Sequence, residues 1–372
     1  MRALYVHIPF CKQKCFYCDF NSYSGKDHLV EEYIKALKKE LSIELIKCND
    51  KSCFKTIYFG GGTPSAIPSK YIKEIMQDTK CEGEVTLELN PGTITRKKLE
   101  DYKEAGINRL SIGLQTTNDE LLKKIGRIHS LKDFEETFKM AREVGFNNIS
   151  VDLMFGLPSQ TIEDVSKDLD YLITLNPDHI SCYSLIVHDE LARKNPNAFN
   201  NLPSDEQERE MYYLICDELK KNGYIQYEIS NFAKPGYESK HNLCYWNQDE
   251  YYGIGAGASS YINNVRYKNI DSIEEYIEHL SNNQDGFKVV EEVQNEESKI
   301  KEYMILKLRL IEGVSEYSFK SIFNKDIFIY FKNELEKLNN LKLIEITGTD
   351  DKYIKLTKKG LDLANIVWEE FI

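Results

Sequence analysis

The chain has 372 residues, of which 41% are hydrophobic and 29% charged, and its formal net charge is -12 at pH 7. This composition is that of an ordinary globular protein with one large domain or two smaller ones. The acidic balance argues against a general nucleic-acid binder, because such proteins need positive charge to pair with phosphates. No apolar run reaches the roughly 18 residues of a membrane-spanning helix, and no signal-peptide pattern is present. We therefore expect a cytoplasmic protein, with peripheral membrane contact and homodimer formation left open.

Strand-like and helix-like segments alternate along the first two-thirds of the chain. Strands are predicted at 4–8, 56–59, 85–89, 109–114, 149–154 and 179–185, and helices at 27–47, 69–78, 95–105, 118–126 with 131–144, 161–175 and 205–222. The predicted helix starts are Ser69, Thr95, Thr161 and Ser204, and the predicted stops are Gly106, Gly145 and Gly223. Such alternation forms a parallel sheet with right-handed crossovers. Six units, two fewer than a closed eight-fold barrel, predict an α/β fold with an open, partial (β/α)6 barrel.

Three cysteines, Cys11, Cys15 and Cys18, follow the first predicted strand within eight residues. Structural zinc prefers four protein ligands, so a zinc site here would need His7 or His28 as the fourth. A [4Fe–4S] cluster normally takes four thiolates, so three would leave one iron open to a substrate or cofactor. The other cysteines form no tight cluster, and most are expected to be buried apolar residues; they are Cys48, Cys53, Cys81, Cys182, Cys216 and Cys244.

The alternation stops after about residue 235. The stretch 241–262, HNLCYWNQDEYYGIGAGASSYI, fits neither the helix nor the strand period and is interpreted as an ordered functional loop or a bridge over the barrel. From residue 302 the pattern indicates three helices, a hairpin around 348–351 and a last helix, which resembles a winged-helix module. Residues 301–372 carry 12 basic and 12 acidic residues, so we expect packing or partner contact rather than DNA reading. The predicted domains are a core (1–235), a bridging segment (236–300) and a smaller, mainly helical C-terminal domain (301–372).

The motif CxxxCxxC after a first strand, with the aromatic Tyr17 directly before its last cysteine, resembles the signature of the radical S-adenosylmethionine (SAM) superfamily. The resemblance implies a six-unit partial barrel and a [4Fe–4S] cluster held by Cys11, Cys15 and Cys18. It also implies that SAM binds the open iron and that the reduced cluster breaks a C–S bond of SAM. The segments YVHIPFC, GGGTPS, LELNPG, LSIGLQT and DLMFGLP resemble the coproporphyrinogen dehydrogenase group of this superfamily.

The same resemblance implies ligand-binding roles at the rim where the parallel strands end. The glycine loop 60–63 would let backbone groups approach the methionine end of SAM. Glu88 suits the positive charge or the ribose of SAM, and Arg127 suits a carboxylate. Gln115 and Asp152 suit the ribose or a second ligand, although each of these polar groups could instead form a structural ion pair. The expected cofactor-binding set is Tyr5, Tyr17, Gly61, Gly62, Thr63, Glu88, Gln115, Arg127, Asp152 and His241.

Two features separate the branches of this group. The dehydrogenases have a fourth cysteine, in CxxxCxxCxC, where Phe20 stands here, and an N-terminal extension before the first strand, which here starts at residue 4. The haem chaperone branch, HemW, lacks both and has an HNxxYW motif, present here at 241–246. In that branch the histidine, here His241, is associated with haem binding, although a buried packing role is equally open.

The resemblance therefore implies a haem chaperone that carries haem as cargo to haem-accepting proteins, with a [4Fe–4S] cluster and SAM. The first alternative is an oxygen-independent coproporphyrinogen III dehydrogenase that decarboxylates propionates through a radical. The second is a radical SAM enzyme with another substrate.

Overall fold

The computed structural model describes residues 2–47 and 54–372. The strands are β1 (Ala3–Ile8), β2 (Phe10–Cys11), β3 (Tyr23–Ser24), β4 (Phe54–Gly61), β5 (Cys81–Leu89), β6 (Arg109–Gln115), β7 (Ile149–Phe155), β8 (His179–Ser184), β9 (Ile225–Glu228), β10 (Asn231–Ala233), β11 (Tyr251–Ile254), β12 (Ser259–Ile262), β13 (Val265–Asn269), β14 (Lys288–Val293), β15 (Val314–Ser315), β16 (Ile344–Thr347) and β17 (Tyr353–Leu356).

The helices are α1 (Val30–Lys47), α2 (Ser69–Gln77), α3 (Arg96–Glu104), α4 (Asp119–Lys124), α5 (Leu131–Val144), α6 (Ile162–Leu175), α7 (Asp189–Lys194), α8 (Asp205–Lys221), α9 (Lys240–Trp246), α10 (Ile273–Ser281), α11 (Glu296–Lys307), α12 (Glu316–Phe323), α13 (Ile327–Tyr330), α14 (Lys332–Asn340), α15 (Lys358–Asp362) and α16 (Ala364–Glu369). Short 3-10 turns lie at Asp27–Leu29 and Pro64–Ala66. Within the described ranges, no helix has the length and apolar character needed to cross a lipid bilayer.

A 12-stranded sheet dominates the fold, in the order β14-β13-β12-β11-β1-β4-β5-β6-β7-β8-β10-β9. Its strands β1, β4, β5, β6, β7 and β8 are parallel neighbours joined by helical crossovers. Every residue of β6 is buried, as expected for a strand covered on both faces. The predicted partial (β/α)6 barrel is confirmed, and the ends of its strands gather the polar groups described below.

The sheet extends beyond the six predicted strands at both edges. On one side β11 pairs in parallel with β1, and β12, β13 and β14 follow it in antiparallel order. The interpretation of 241–262 as a loop or a bridge over the barrel was therefore wrong, because this stretch forms α9, β11 and β12. Its glycines permit close strand packing, since a Cβ on Gly253 would lie 2.0 Å from the carbonyl oxygen of Ser259.

Side-chain caps fix most of the predicted helix starts. Thr95, Thr161 and Ser204 each accept a hydrogen bond from a backbone N–H in the first turn of α3, α6 and α8. Ser69 is an exception, because Pro68 is the N-cap of α2 and the Ser69 hydroxyl instead donates to Asp101 Oδ2 at 2.7 Å. The cap predictions are thus right for three helices and wrong for α2.

The C-terminal residues have a hydrophobic cluster of their own, separate from the cluster around the large sheet. The predicted hairpin is formed by β16 and β17, and β15 joins it to make a three-stranded sheet. Helix α11 begins at Glu296, earlier than predicted, and the expected last helix is split into α15 and α16. The domain boundaries at 235 and 300 stay predictions, although β11 to β14 belong to the same sheet as the barrel strands.

Candidate functional site

A cavity of ≈ 540 Å³ lies where the parallel strands end, and residues from β4, β5, β6, β7 and β8 line it. Most of the predicted site residues share this lining: Cys11, Cys15, Tyr17, Cys18, Gly61, Gly62, Thr63, Glu88, Gln115, Arg127 and Asp152. Tyr5 and His241 instead line a smaller cavity of ≈ 220 Å³. Five residues line both cavities, so the two lie side by side: Phe20, Tyr58, Gly61, Glu88 and Asn242.

The three cysteines face the large cavity from one loop. Cys11 ends β2, which β3 holds in place by parallel pairing, and its Sγ lies 3.5 Å from Thr63 Oγ1. Cys18 Sγ lies 3.7 Å from the Ser22 hydroxyl, and Arg127 Nη1 donates to Cys15 Sγ at 3.7 Å. Burial raises the pKa of the Cys11 and Cys18 thiols, so both stay protonated until a metal replaces the proton. The described cysteines form no disulfide, and Cys48 and Cys53 lie outside the described residues.

The donor set does not suit a single zinc ion. Within 2–47 and 54–372, no three His, Cys, Asp or Glu side chains are grouped closely enough to hold one metal ion. His7 is not available as a fourth zinc ligand, because both ring nitrogens have hydrogen-bond partners: Nδ1 is 3.0 Å from Tyr5 Oη, and Nε2 is 2.8 Å from the Asn21 carbonyl. A cubane cluster binds each thiolate on a different iron, so its sulfur ligands lie farther apart than those around one ion. Three thiols spread around one cavity therefore fit [4Fe–4S] better than zinc.

Arg127 is a half-buried cation with unused hydrogen-bonding capacity. Its Nη2 donates to the Gly113 carbonyl at 2.9 Å, whereas its buried Nε has no partner in the structure. A Cβ on Gly113 would lie 2.5 Å from Nη2 of Arg127, so only glycine at this position leaves room for the guanidinium. A buried donor without a partner costs stability unless a ligand satisfies it. The guanidinium thus suits a carboxylate bound in the cavity.

Two half-buried carboxyl groups, Glu88 and Asp152, face the same space. Tyr58 Oη donates to Glu88 Oε1 at 2.8 Å, and Ser111 Oγ donates to Asp152 Oδ1 at 3.1 Å. Burial raises the pKa of Glu88 to about 7 and that of Asp152 to about 6. A cationic ligand nearby would favour the ionised forms and lower both values. The pair can therefore bind positive charge at the cost of releasing protons.

The glycine loop also has a packing role within the fold. A Cβ on Gly61, whose φ is +108, would lie 2.5 Å from the His7 ring, and one on Gly62 would lie 2.8 Å from the Pro9 carbonyl carbon. Both neighbours are protein atoms, so these glycines let β4 pack against β1 and the loop after it. Their backbone also lines the large cavity, and the expected approach of that backbone to SAM stays a prediction.

Replacing Gly61 with alanine should lower the free energy of unfolding by roughly 1–3 kcal/mol, through the positive φ and the contact with His7. Urea denaturation would measure this. Gly92→Ala is the matched control, because Gly92 also has a positive φ, +80, but a Cβ added there would meet no atom within 4 Å. Equal losses in the two variants would show that the contact with His7 contributes nothing.

Sequence patterns did not predict several residues that line the large cavity. Tyr58 and Tyr183 also line it, and Tyr183 Oη donates to Gln115 Oε1 at 3.0 Å. Gln115 itself has a φ of 72, at a register shift between β6 and β7. The available signal was polar residues within these strands, such as Asp152 and Ser181, which are neighbours in the register of β7 and β8.

His241 is buried on α9 and hydrogen-bonded at both ring nitrogens. Nδ1 is 2.8 Å from Thr56 Oγ1, and Nε2 is 2.8 Å from Tyr245 Oη. Burial lowers the pKa of His241 to about 3, so the ring is neutral. Tyr245 lies one turn along α9 and packs against the His241 ring, whereas Trp246 stacks on Arg309 at 4.4 Å. A role for His241 as a haem ligand would require Tyr245 to move, and it stays a prediction.

Comparison with known proteins shows which family this chain belongs to. Residues 5–172 match the radical SAM superfamily. A protein of Bacillus subtilis named "Heme chaperone HemW" is 40% identical over 100% of this chain and 99% of its own length. The chain belongs to the HemW family. A second member, from Lactococcus lactis, is 37% identical over 100% of this chain and 97% of its own length.

A solved structure supports the fold independently. Coproporphyrinogen III oxidase (HemN) from Escherichia coli, described as a radical SAM enzyme, superposes with a TM-score of 0.87. The match covers 100% of this chain and 90% of HemN, at 23% sequence identity. At that identity the likeness concerns architecture alone: this chain and HemN share the same overall fold.

Proposed function

We propose that this protein is a haem chaperone, which binds haem and passes it to haem-accepting proteins in the cytoplasm. The observation that carries the proposal is the 40% identity, along the whole chain, to a protein named for that function. The acidic charge of -12 fits a partner other than nucleic acid.

The proposal includes a [4Fe–4S] cluster on Cys11, Cys15 and Cys18, with SAM at its open iron. Three thiols around one cavity, none of them in a disulfide, support the cluster. The free Nε of Arg127 and the raised pKa of Glu88 support a ligand that carries both a carboxylate and a positive charge, as SAM does. When bound, the cluster would supply an electron-transfer centre beside the cavity.

Anaerobic titration of the reconstituted protein with haem, followed by absorbance with and without SAM, tests haem binding. We expect a saturable Soret change. The rival function, suggested by the likeness of the fold to HemN, is coproporphyrinogen oxidation. Analysis of the products formed from coproporphyrinogen, SAM and a reductant under the same conditions separates the two, because the chaperone should leave the propionates intact.

The affinity for SAM should fall by about tenfold between pH 8 and pH 6. With a pKa of about 7, Glu88 is mostly ionised at pH 8 and mostly protonated at pH 6, and only the ionised form attracts the sulfonium. Calorimetry on wild type and Glu88→Gln in parallel would measure this, because the titration of SAM itself is common to both. A Glu88→Gln variant with the same extra pH dependence as wild type would contradict the role of Glu88.

A further inference from the structure

The seven histidines of the chain differ sharply in their availability to haem iron, which is often held by a histidine. Four are buried and hydrogen-bonded through the ring: His7, His129, His179 and His241. His28 and His279 are more accessible, but they line neither of the two cavities described above. His188 alone among the seven is both exposed and part of the lining of the large cavity.

His188 meets a carboxylate from the cysteine loop. It lies between β8 and α7, and its Nε2 is 3.3 Å from Oδ2 of Asp19, the residue after Cys18. Both side chains line the large cavity and are more than half exposed, at 58% and 56%, so they face each other at its mouth. Histidines that bind metals commonly hydrogen-bond their second nitrogen to a carboxylate, which fixes the orientation of the ring. An exposed ring can present either nitrogen to Asp19, which leaves the other for iron.

Apolar surface flanks this pair. Phe20, next to Asp19, is 65% exposed, and Ile186, two residues before His188, is 66% exposed. Both line the same cavity, and large exposed apolar side chains around a cavity mark a site for an apolar ligand. Lys14 Nζ, 2.9 Å from the Phe20 carbonyl, adds positive charge at this rim. A flat apolar ring with acidic substituents, such as a porphyrin with its propionates, matches these groups.

We infer that haem binds at the mouth of the large cavity, with His188 as an axial ligand of the iron and Asp19 as a positioning residue. Phe20 and Ile186 contact the porphyrin. The inference rests on the proposed function, which supplies haem as the cargo.

The alternative ligands are placed less favourably. The cavity beside His241 measures ≈ 220 Å³, below the roughly 300 Å³ at the lower end of ligand pockets. Iron at His241 would also displace the hydroxyl of Tyr245. Tyr58 and Tyr183 line the large cavity, but burial raises the pKa of both phenols well above the usual value and disfavours the phenolate that would bind iron.

The test is an anaerobic haem titration of His188→Ala, read from the Soret band. Loss of an outer-shell partner alone costs roughly 10–100-fold in metal affinity, so loss of the ligand itself should weaken haem binding at least about tenfold. His28→Ala and His279→Ala are the matched controls and should titrate like wild type. Asp19→Asn should shift the Soret band while the iron content measured before haem addition stays unchanged.

Wild-type haem affinity and spectrum in His188→Ala would overturn the inference, as would a loss confined to His241→Ala. Both results would leave the proposed function intact, because wild type would still bind haem. A wild-type protein without saturable haem binding would overturn the proposed function and this inference with it.

Discussion

Replacing Cys11, Cys15 and Cys18 together with alanine will remove the iron–sulfur cluster. Anaerobically reconstituted wild type should hold about four iron and four sulfide per chain, and the triple variant close to none. The reason is geometric: these three thiols line one cavity, and none of the other cysteines in the described residues lines it. Iron and acid-labile sulfide analysis measures the effect.

The control is a Cys81→Ala, Cys216→Ala double variant. Both residues are half-buried, and neither lines the large cavity. This variant should keep its full iron and sulfide content. Circular dichroism of the triple variant should match wild type, since the cysteine loop lies outside the two main hydrophobic clusters. Full iron retention by the triple variant would contradict the assignment of these three cysteines as cluster ligands.

Replacing Arg127 with lysine should weaken SAM binding by about tenfold or more. A hydrogen bond to a charged group contributes roughly 1.5–3 kcal/mol, and lysine cannot reproduce the planar fork of the guanidinium. The unsatisfied Nε of Arg127 and its contact with Cys15 place the fork beside the cysteine loop. Calorimetry on samples matched for iron content measures the loss without interference from incomplete clusters.

Arg142→Lys provides the matched control. Arg142 pairs with Asp178 at 2.8 Å and does not line the large cavity, so the same substitution there should leave SAM affinity unchanged. An Arg127→Lys variant that binds SAM as tightly as wild type would show that the guanidinium serves the fold and not the ligand.

Local signals account for the part of the fold that the sequence predicts well. The alternation of strands and helices depends on neighbouring residues, and so do caps such as Thr161 with its capping box. Both can therefore be predicted from the sequence. Strands β11 to β14 were missed because their order in the sheet depends on long-range pairing: Tyr251 aligns with Ala3 from the far end of the core. The cap predicted at Ser69 was wrong for the same reason: its hydroxyl donates to Asp101, and this contact forms only when α2 and α3 pack together.

The sequence predicted which residues form the candidate site better than it predicted the contacts between them. Spacing and strand ends indicated the cysteines, Glu88, Arg127 and Asp152, and the structure brings these around one cavity. His241 and Tyr245, which are hydrogen-bonded, both belong to the HNxxYW motif, but the contact of His241 with Thr56 on β4 depends on the fold and no motif shows it. His188 carries no motif at all, and its relation to Asp19 exists only because two loops meet at the cavity.

The central claim is that this protein hands haem directly to an acceptor. The most direct measurement compares haem transfer from the loaded protein to an apo-haemoprotein of the same organism, either mixed in one chamber or separated by a dialysis membrane that passes only free haem. We predict much faster recovery of the acceptor's Soret band in the mixed chamber, because contact between the proteins bypasses free haem. Equal rates in the two chambers, or no transfer in either, would contradict the account.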